Sequence, residues 1–147
     1  MFEINNEITE SFLEINKALY RLLKKDADQH GVTVVQLKAM FRISNNPDIS
    51  LGDLAEKLRL TNSTVSGVID RLVHNGFVER IIPPENRRSI SLHLTEKGHS
   101  ILADLHSGNS ILVQRLNAIL ELPDEEIQHL LRLHRLVLSK LTLEEDK

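Results

Sequence analysis

The chain has no cysteine, which excludes a disulfide framework, a thiolate metal site and a thiol redox switch. Tryptophan is also absent, and there are one tyrosine and four phenylalanines, so leucine, isoleucine and valine must supply the bulk of any core. No apolar run approaches the roughly 18 residues that a membrane span needs. The opening stretch MFEINNEITESF carries acids and no arginine, and a soluble, cytoplasmic protein is expected. Positive charge is not in excess either: the formal net charge is −3, unlike a protein that coats nucleic acid indiscriminately. Nucleophile motifs, a phosphate loop and a dinucleotide fingerprint are missing. The expectation is therefore no enzyme, no cofactor and no membrane partner.

What is present is organised around residues 50–98. Ser50 reads as an N-cap with Asp53 in the first turn of a short helix, whose Leu51, Leu54, Ala55 and Leu58 share one face. Thr61 offers a second cap. The helix after it carries Val65, Val68, Ile69, Leu72 and Val73 on one side and ends at Gly76. Two capped helices joined by a tight turn make a helix-turn-helix. Opposite the apolar stripe lie Ser63, Thr64, Ser66, Gly67, Asp70, Arg71 and His74. Hydroxyls at a helix start suit base edges, a glycine admits a close backbone, and free N–H groups favour phosphate. Taken alone, the same face also reads as an ordinary solvated one.

The next stretch weighs against that plainer reading. Phe77–Ile82 and Ser89–Leu94 are β-prone runs separated by Pro83, Pro84, Glu85, Asn86, Arg87 and Arg88. The prolines end the ladder, leaving a hairpin whose tip presents two arginines beside the second helix. Arginine at such a tip suits a narrow minor groove. From Lys57 to Arg88 the cations Lys57, Arg59, Arg71, Arg80, Arg87 and Arg88 outnumber Asp70, Glu79 and Glu85. An acidic body with a basic working face predicts salt-dependent DNA binding.

Thr64-Val65-Ser66-Gly67, Asp70-Arg71-Leu72, Gly76-Phe77-Val78-Glu79-Arg80, Asn86-Arg87-Arg88 and Leu94-Thr95-Glu96-Lys97-Gly98 follow one another in this order. In order and spacing they resemble the MarR-type transcriptional regulators, and the resemblance extends over essentially the whole chain. It implies a mainly α fold with a small β-hairpin wing, built as one domain over residues 1–147. The winged helix-turn-helix lobe would occupy about 33–96, with dimerisation helices over about 4–30 and 96–142. It implies a homodimeric repressor of a pseudo-palindromic double-stranded operator, relieved by a small, commonly aromatic ligand. DNA-binding residues would be Thr61, Asn62, Ser63, Thr64, Ser66, Gly67 and Arg71, with Arg87 and Arg88 in the wing. In one respect the chain departs from the family, whose wing commonly carries aspartates where this one has Pro84 and Asn86; Glu85 is the acid at hand to replace them.

The flanking segments read as helices. Ile4, Ile8, Phe12, Ile15, Leu19 and Leu22 recur every three or four residues, widened by Leu13, Tyr20 and Leu23, in a helix ending near Gly31. Thr33 and Gln36 form a capping box for the next helix, with Val35, Leu37, Met40, Phe41 and Ile43 in or near its core face. Thr95 caps a later helix that runs past Ile119, with a kink expected at Ser107-Gly108-Asn109-Ser110. A last helix after Pro123 is apolar over most of its circumference, from Ile127 to Leu141. Too little chain remains to cover it, and a symmetric partner is the economical solution, with a self-contained monomer as the alternative.

Two further constellations are open to more than one reading. Phe12, Tyr20, Met40 and Phe41 could line a ligand crevice, and they serve equally as plain core. Seven histidines invite a metal, yet His99 and His106, or His129 and His134, form no recognised ligand motif. The reading is therefore no metal site. Arg71 is the only arginine or lysine on the second helix of the pair, and that scarcity leaves a winged-helix protein-interaction module, with weak or no DNA binding, as the alternative function.

Overall fold

A computed structural model describes residues 6–85 and 90–146. The first helix, α1, spans Asn6–Gln29. Its end is closed by Gly31 at φ 68°, where Val32 N–H donates to the Ala27 carbonyl and Gly31 N–H to that of Asp28, the paired bonds of a left-handed glycine stop. Helix α2, Val34–Asn45, opens on the expected capping box: Thr33 accepts from Gln36 N–H while the Gln36 side chain accepts from Thr33 N–H. Leu37, Met40 and Ile43 are buried, and Val35, expected near the core, instead faces out. The 100° step from Val34, which is buried, carries Val35 off the inward arc.

The helix pair follows as α3, Leu51–Leu58, and α4, Asn62–His74. Ser50 and Thr61 are their caps, accepting from the Asp53 and Thr64 amides respectively. Leu54, Ala55, Val65, Ile69 and Leu72 are buried where the two meet, while Leu51, Leu58, Val68 and Val73 pack partly buried at the margin. Burying each large side chain contributes about 1.5–3 kcal/mol. Arg59, with no glycine to take the turn, adopts the left-handed conformation itself at φ 55°. Helix α4 stops at Gly76, φ 80°, where Phe77 N–H reaches the Leu72 carbonyl.

The hairpin is shorter than the sequence runs, with β1 at Val78–Ile81 and β2 at Ser91–Leu94. They pair antiparallel with Val78 opposite Leu94 and Ile81 opposite Ser91. Val78, Leu92 and Leu94 point into the core. At the far edge of β2, Leu92 N–H donates to the Ile49 carbonyl, so the loop before α3 holds the hairpin base. Within this region α2 is central, touching α1, α3, α4, α5 and β2.

Helix α5, Glu96–Asp104, is locked onto the end of α4 by its own first turn. Thr95 Oγ1 donates to the Gly76 carbonyl, Lys97 Nζ to that of Asn75, and Lys97 lies 4.6 Å over the Phe77 ring. A β-carbon at Gly98 would collide with the Phe77 carbonyl oxygen, so only glycine permits the approach. The Leu94–Gly98 stretch is therefore structural: it seats a cation on the negative end of α4.

Beyond α5 the chain breaks more sharply than a kink. A π-helical turn, Leu105–Asn109, contains Gly108 at φ 100°, and Ser110 is extended before α6, Ile111–Ile119. The chain divides into two compact units, Met1–Leu112 and Val113–Lys147. In the second, α7 spans Asp124–Leu141 with three acids in its first turn, where they complement the helix dipole. None of its described residues is buried, and Leu136, Leu138 and Leu141 are 51%, 64% and 69% exposed. Among the described residues no helix is long and apolar enough to cross a membrane.

Candidate nucleic-acid interface

Helix α4 seals one face and offers the other. With Val65, Ile69 and Leu72 at 0% exposure, its opposite arc of Asn62, Ser63, Thr64, Gly67 and Arg71 is exposed and Ser66 is half-buried. Thr61 is occupied as the cap, its hydroxyl also 2.8 Å from that of Thr64. Its role is to hold the first turn, which leaves Asn62 and Ser63 as the outermost polar groups at the helix start. A β-carbon on Gly67 would meet nothing within 4 Å, so internal packing does not demand glycine there. A shallow cleft of about 210 Å³ runs from Thr33 and Gln36 past Thr64, Gly67 and Val68 to Arg71. Among the described residues Arg71 is in no ion pair, whereas Arg80 on β1 pairs with Asp70 on α4. That contact ties hairpin to helix and removes Arg80 from the cations free to meet a phosphate, a pairing that sequence reading missed.

The hairpin is anchored at its base by a second set. His93 Nε2 lies 2.9 Å from Asp48 Oδ1 and 3.1 Å from Ser91 Oγ, with Asp48 itself at φ 60°. Arg87 and Arg88, expected at the wing tip, lie outside the described residues, as do Asn86, Ser89 and Ile4, the last expected in the first helix. A family model for the MarR family matches residues 32–90, the span that holds α2, the helix pair and the hairpin. Across the longer chain, the mutant MarR from Escherichia coli complexed with operator DNA superposes with a TM-score of 0.72. It is 27% identical, with 93% of this chain and 99% of that one covered. In this stretch, and at 27% identity across most of its length, the chain resembles MarR-family proteins.

Curated relatives agree. An uncharacterized HTH-type transcriptional regulator from Bacillus subtilis, YfiV, is 30% identical over 95 residues, covering 65% of this chain and 59% of that protein. The HTH-type transcriptional repressor YetL of the same organism is 27% identical over 123 residues, covering 82% of this chain and 72% of that one. The chain thus spans somewhat under two thirds of YfiV and more of YetL. As in the MarR-family structures it resembles, the fold is mostly helical with a two-stranded antiparallel hairpin.

The four side chains considered for a ligand crevice are not brought together. Met40 is fully buried, because α2 is the central helix, whereas Phe12 and Tyr20 stand 42% and 52% exposed on α1. Phe41 is half-buried with its ring edge toward His106. It also lines a groove of about 430 Å³ between α2 and α3 with Lys38, Arg42, Asn45, Lys57, Leu58 and Arg59. Two of the histidines weighed as ligands have local partners, His106 the Leu102 carbonyl and His129 the Arg132 guanidinium. Among the described residues no three His, Asp or Glu side chains converge as a metal ion would require.

Proposed function

We propose that this protein is a MarR-family, sequence-specific, double-stranded-DNA-binding transcriptional regulator, acting as a homodimeric repressor that a small-molecule ligand relieves. The observation that carries it is α4: sealed on its apolar side, capped by Thr61, exposed from Asn62 to Arg71 and braced by a hairpin. Ser63, Thr64 and Ser66 then read base edges, Gly67 admits close approach, and Asn62 and Arg71 meet phosphate. Arg87 or Arg88 enters the adjacent minor groove. Residues 33–96 form the DNA-reading lobe, and helices within 4–30 and 96–142 form the dimer. Support for the dimer comes from exposed Ile8, Phe12 and Ile15 on α1 and Leu136, Leu138 and Leu141 on α7. Two-fold symmetry then requires a pseudo-palindrome with half-sites about 34–36 Å apart, or a multiple of that. The protein acts by binding and not by catalysis, and a DNA partner implies a cytoplasmic protein.

One observation favours a second reading, a winged-helix module for protein contacts: with Arg80 held by Asp70, Arg71 is the only arginine or lysine on α4. The deciding experiment selects bound duplexes from a random pool and measures the enriched site at two salt concentrations. A palindrome bound with a steep salt slope is expected, since only phosphate neutralisation releases condensed counterions. If nothing is enriched and binding stays weak at low salt, the protein-contact module is the better reading. Arg87→Ala and Arg88→Ala, titrated on operator and random DNA, test the wing: if both bind as tightly as the parent, the arginines do not contact DNA.

A further inference from the structure

Asp26 is an acid 2% exposed near the end of α1, and no role described above uses it. Its carboxylate reaches a site 84 to 86 residues away along the chain. Ser110 Oγ donates to Oδ2 at 2.6 Å, Ile111 N–H to Oδ1 at 2.7 Å and Leu112 N–H to Oδ2 at 3.3 Å. The last two donors are the first amides of α6, the ones an α-helix leaves without an internal partner. A negative group at that position also complements the positive end of the helix. Asp26 is thus an N-cap supplied from another helix.

The chain between α5 and α6 does not stiffen this point by itself. The π turn, Gly108 at φ 100° and the extended Ser110 interrupt the helix together, and glycine has more backbone freedom to lose than any other residue. On the same seam His30 Nε2 lies within 3.2 Å of Asp104 Oδ2, although the imidazole nitrogen is not aligned for a hydrogen bond. Asp104 also accepts from Asn109 Nδ2. Asp26 at the end of α1 and His30 just after it therefore both make polar contacts where the backbone is interrupted.

We propose that Asp26 is a positioning residue for operator recognition: by capping α6 it fixes the direction in which that helix starts, and so the separation of the two reading helices in the dimer, without touching DNA. The inference rests on the dimeric DNA-binding reading above. Losing the cap would leave each α4 able to read its half-site while the pair no longer enforces one spacing.

The absence of native cysteine allows a direct test. Glu56→Cys, on the exposed side of α3, carries one nitroxide per protomer, and double electron–electron resonance reads the distance between them. With Asp26 intact one narrow distribution is expected; with Asp26→Asn it broadens or shifts. The same substitution weakens the dimer's discrimination between operators whose half-sites stand one or two base pairs further apart, while binding to an isolated half-site is retained. A folded Asp26→Asn dimer with the parent's distance distribution and spacing preference overturns this inference alone. A parent that sediments as a monomer and gives no dipolar signal means no dimer, and overturns both readings. Should Asp26→Asn fail to fold, Ser110→Ala, which leaves the carboxylate and both backbone donors, carries the same comparison with a smaller expected change.

Discussion

The two units of this chain use the same aliphatic residues in opposite ways. In the first, Leu37, Met40, Leu54, Val65, Ile69, Leu72 and Leu92 are buried within one protomer, and the polar side of α4 faces solvent. In the second, α7 repeats leucine at similar spacing, yet no described residue is buried. Periodicity alone does not separate these cases, since apolar residues recur every three or four positions in both helices. The difference lies in whether the rest of the chain supplies a cover. For α4 that cover is α2, α3 and β1. The leucines of α7 are left open, and a second copy of the chain is the cover proposed.

The largest test of this contrast puts charge on the uncovered side. Leu138→Lys combined with Leu141→Lys should cost the dimer about 3–6 kcal/mol, the burial of two leucines. Sedimentation should then find monomers, with operator binding reduced accordingly. An intact dimer would show that α7 does not use these leucines for association. The covered side should fail differently: Leu72→Ala should lower unfolding stability by about 2–5 kcal/mol through a cavity in the first unit. Truncating Leu138 to alanine should not create such a cavity. Chemical denaturation of both variants, at a concentration where the parent is dimeric, separates a loss of core from a loss of partner.

A smaller effect should appear on the polar face of α4. Ser63→Ala or Thr64→Ala should cost about 1–3 kcal/mol on the selected operator and relax preference at one position. Arg71→Ala should instead weaken all sequences alike and flatten the salt slope by about one. If Arg71→Ala changed the preferred sequence and left the slope alone, its assigned partner would have to be a base.

Local structure in this protein could be read from short stretches, and tertiary partners could not. Thr33 with Gln36, Thr61 and Gly76 each act within a few residues of themselves, as does Thr95 where its hydroxyl accepts from Gly98 N–H, and their cap or stop roles follow from residue type and position. The resemblance to the MarR family draws on the same region, where Gly98 packs against the Phe77 carbonyl and Lys97 donates to the Asn75 carbonyl at the end of α4. Asp26 was invisible because its donors are 84 to 86 residues away, and a single acid in a helix reads as solvated. Val35 was misjudged because its type suits a core but its angle on α2 does not. The interruption near Gly108 was legible as a weakness, whereas its size depended on a left-handed glycine and an extended Ser110 acting together. Arg87 and Arg88 fall outside the described residues, and of the four crevice residues only Phe41 lines one of the cavities described above.

The smallest effect concerns the charge that α4 holds back. Asp70 and Arg80 are paired across the helix and hairpin with side chains 64% and 34% exposed, and a pair so open to water contributes at most about 1 kcal/mol to folding. Its larger consequence is for binding. Asp70 sets a negative charge on the face proposed to approach a polyanion, and it occupies the cation that could answer a phosphate. Asp70→Asn should therefore leave unfolding stability within about 1 kcal/mol of the parent. It should tighten binding to operator and random DNA alike, and steepen the salt slope by about one as Arg80 gains a phosphate. Selectivity would fall, because the added affinity is blind to sequence. If Asp70→Asn instead weakens the operator and spares random DNA, Asp70 reads a base, a cytosine amino group being the partner its acceptors fit. The salt slope and the selectivity, measured together, separate a carboxylate that restrains binding from one that directs it.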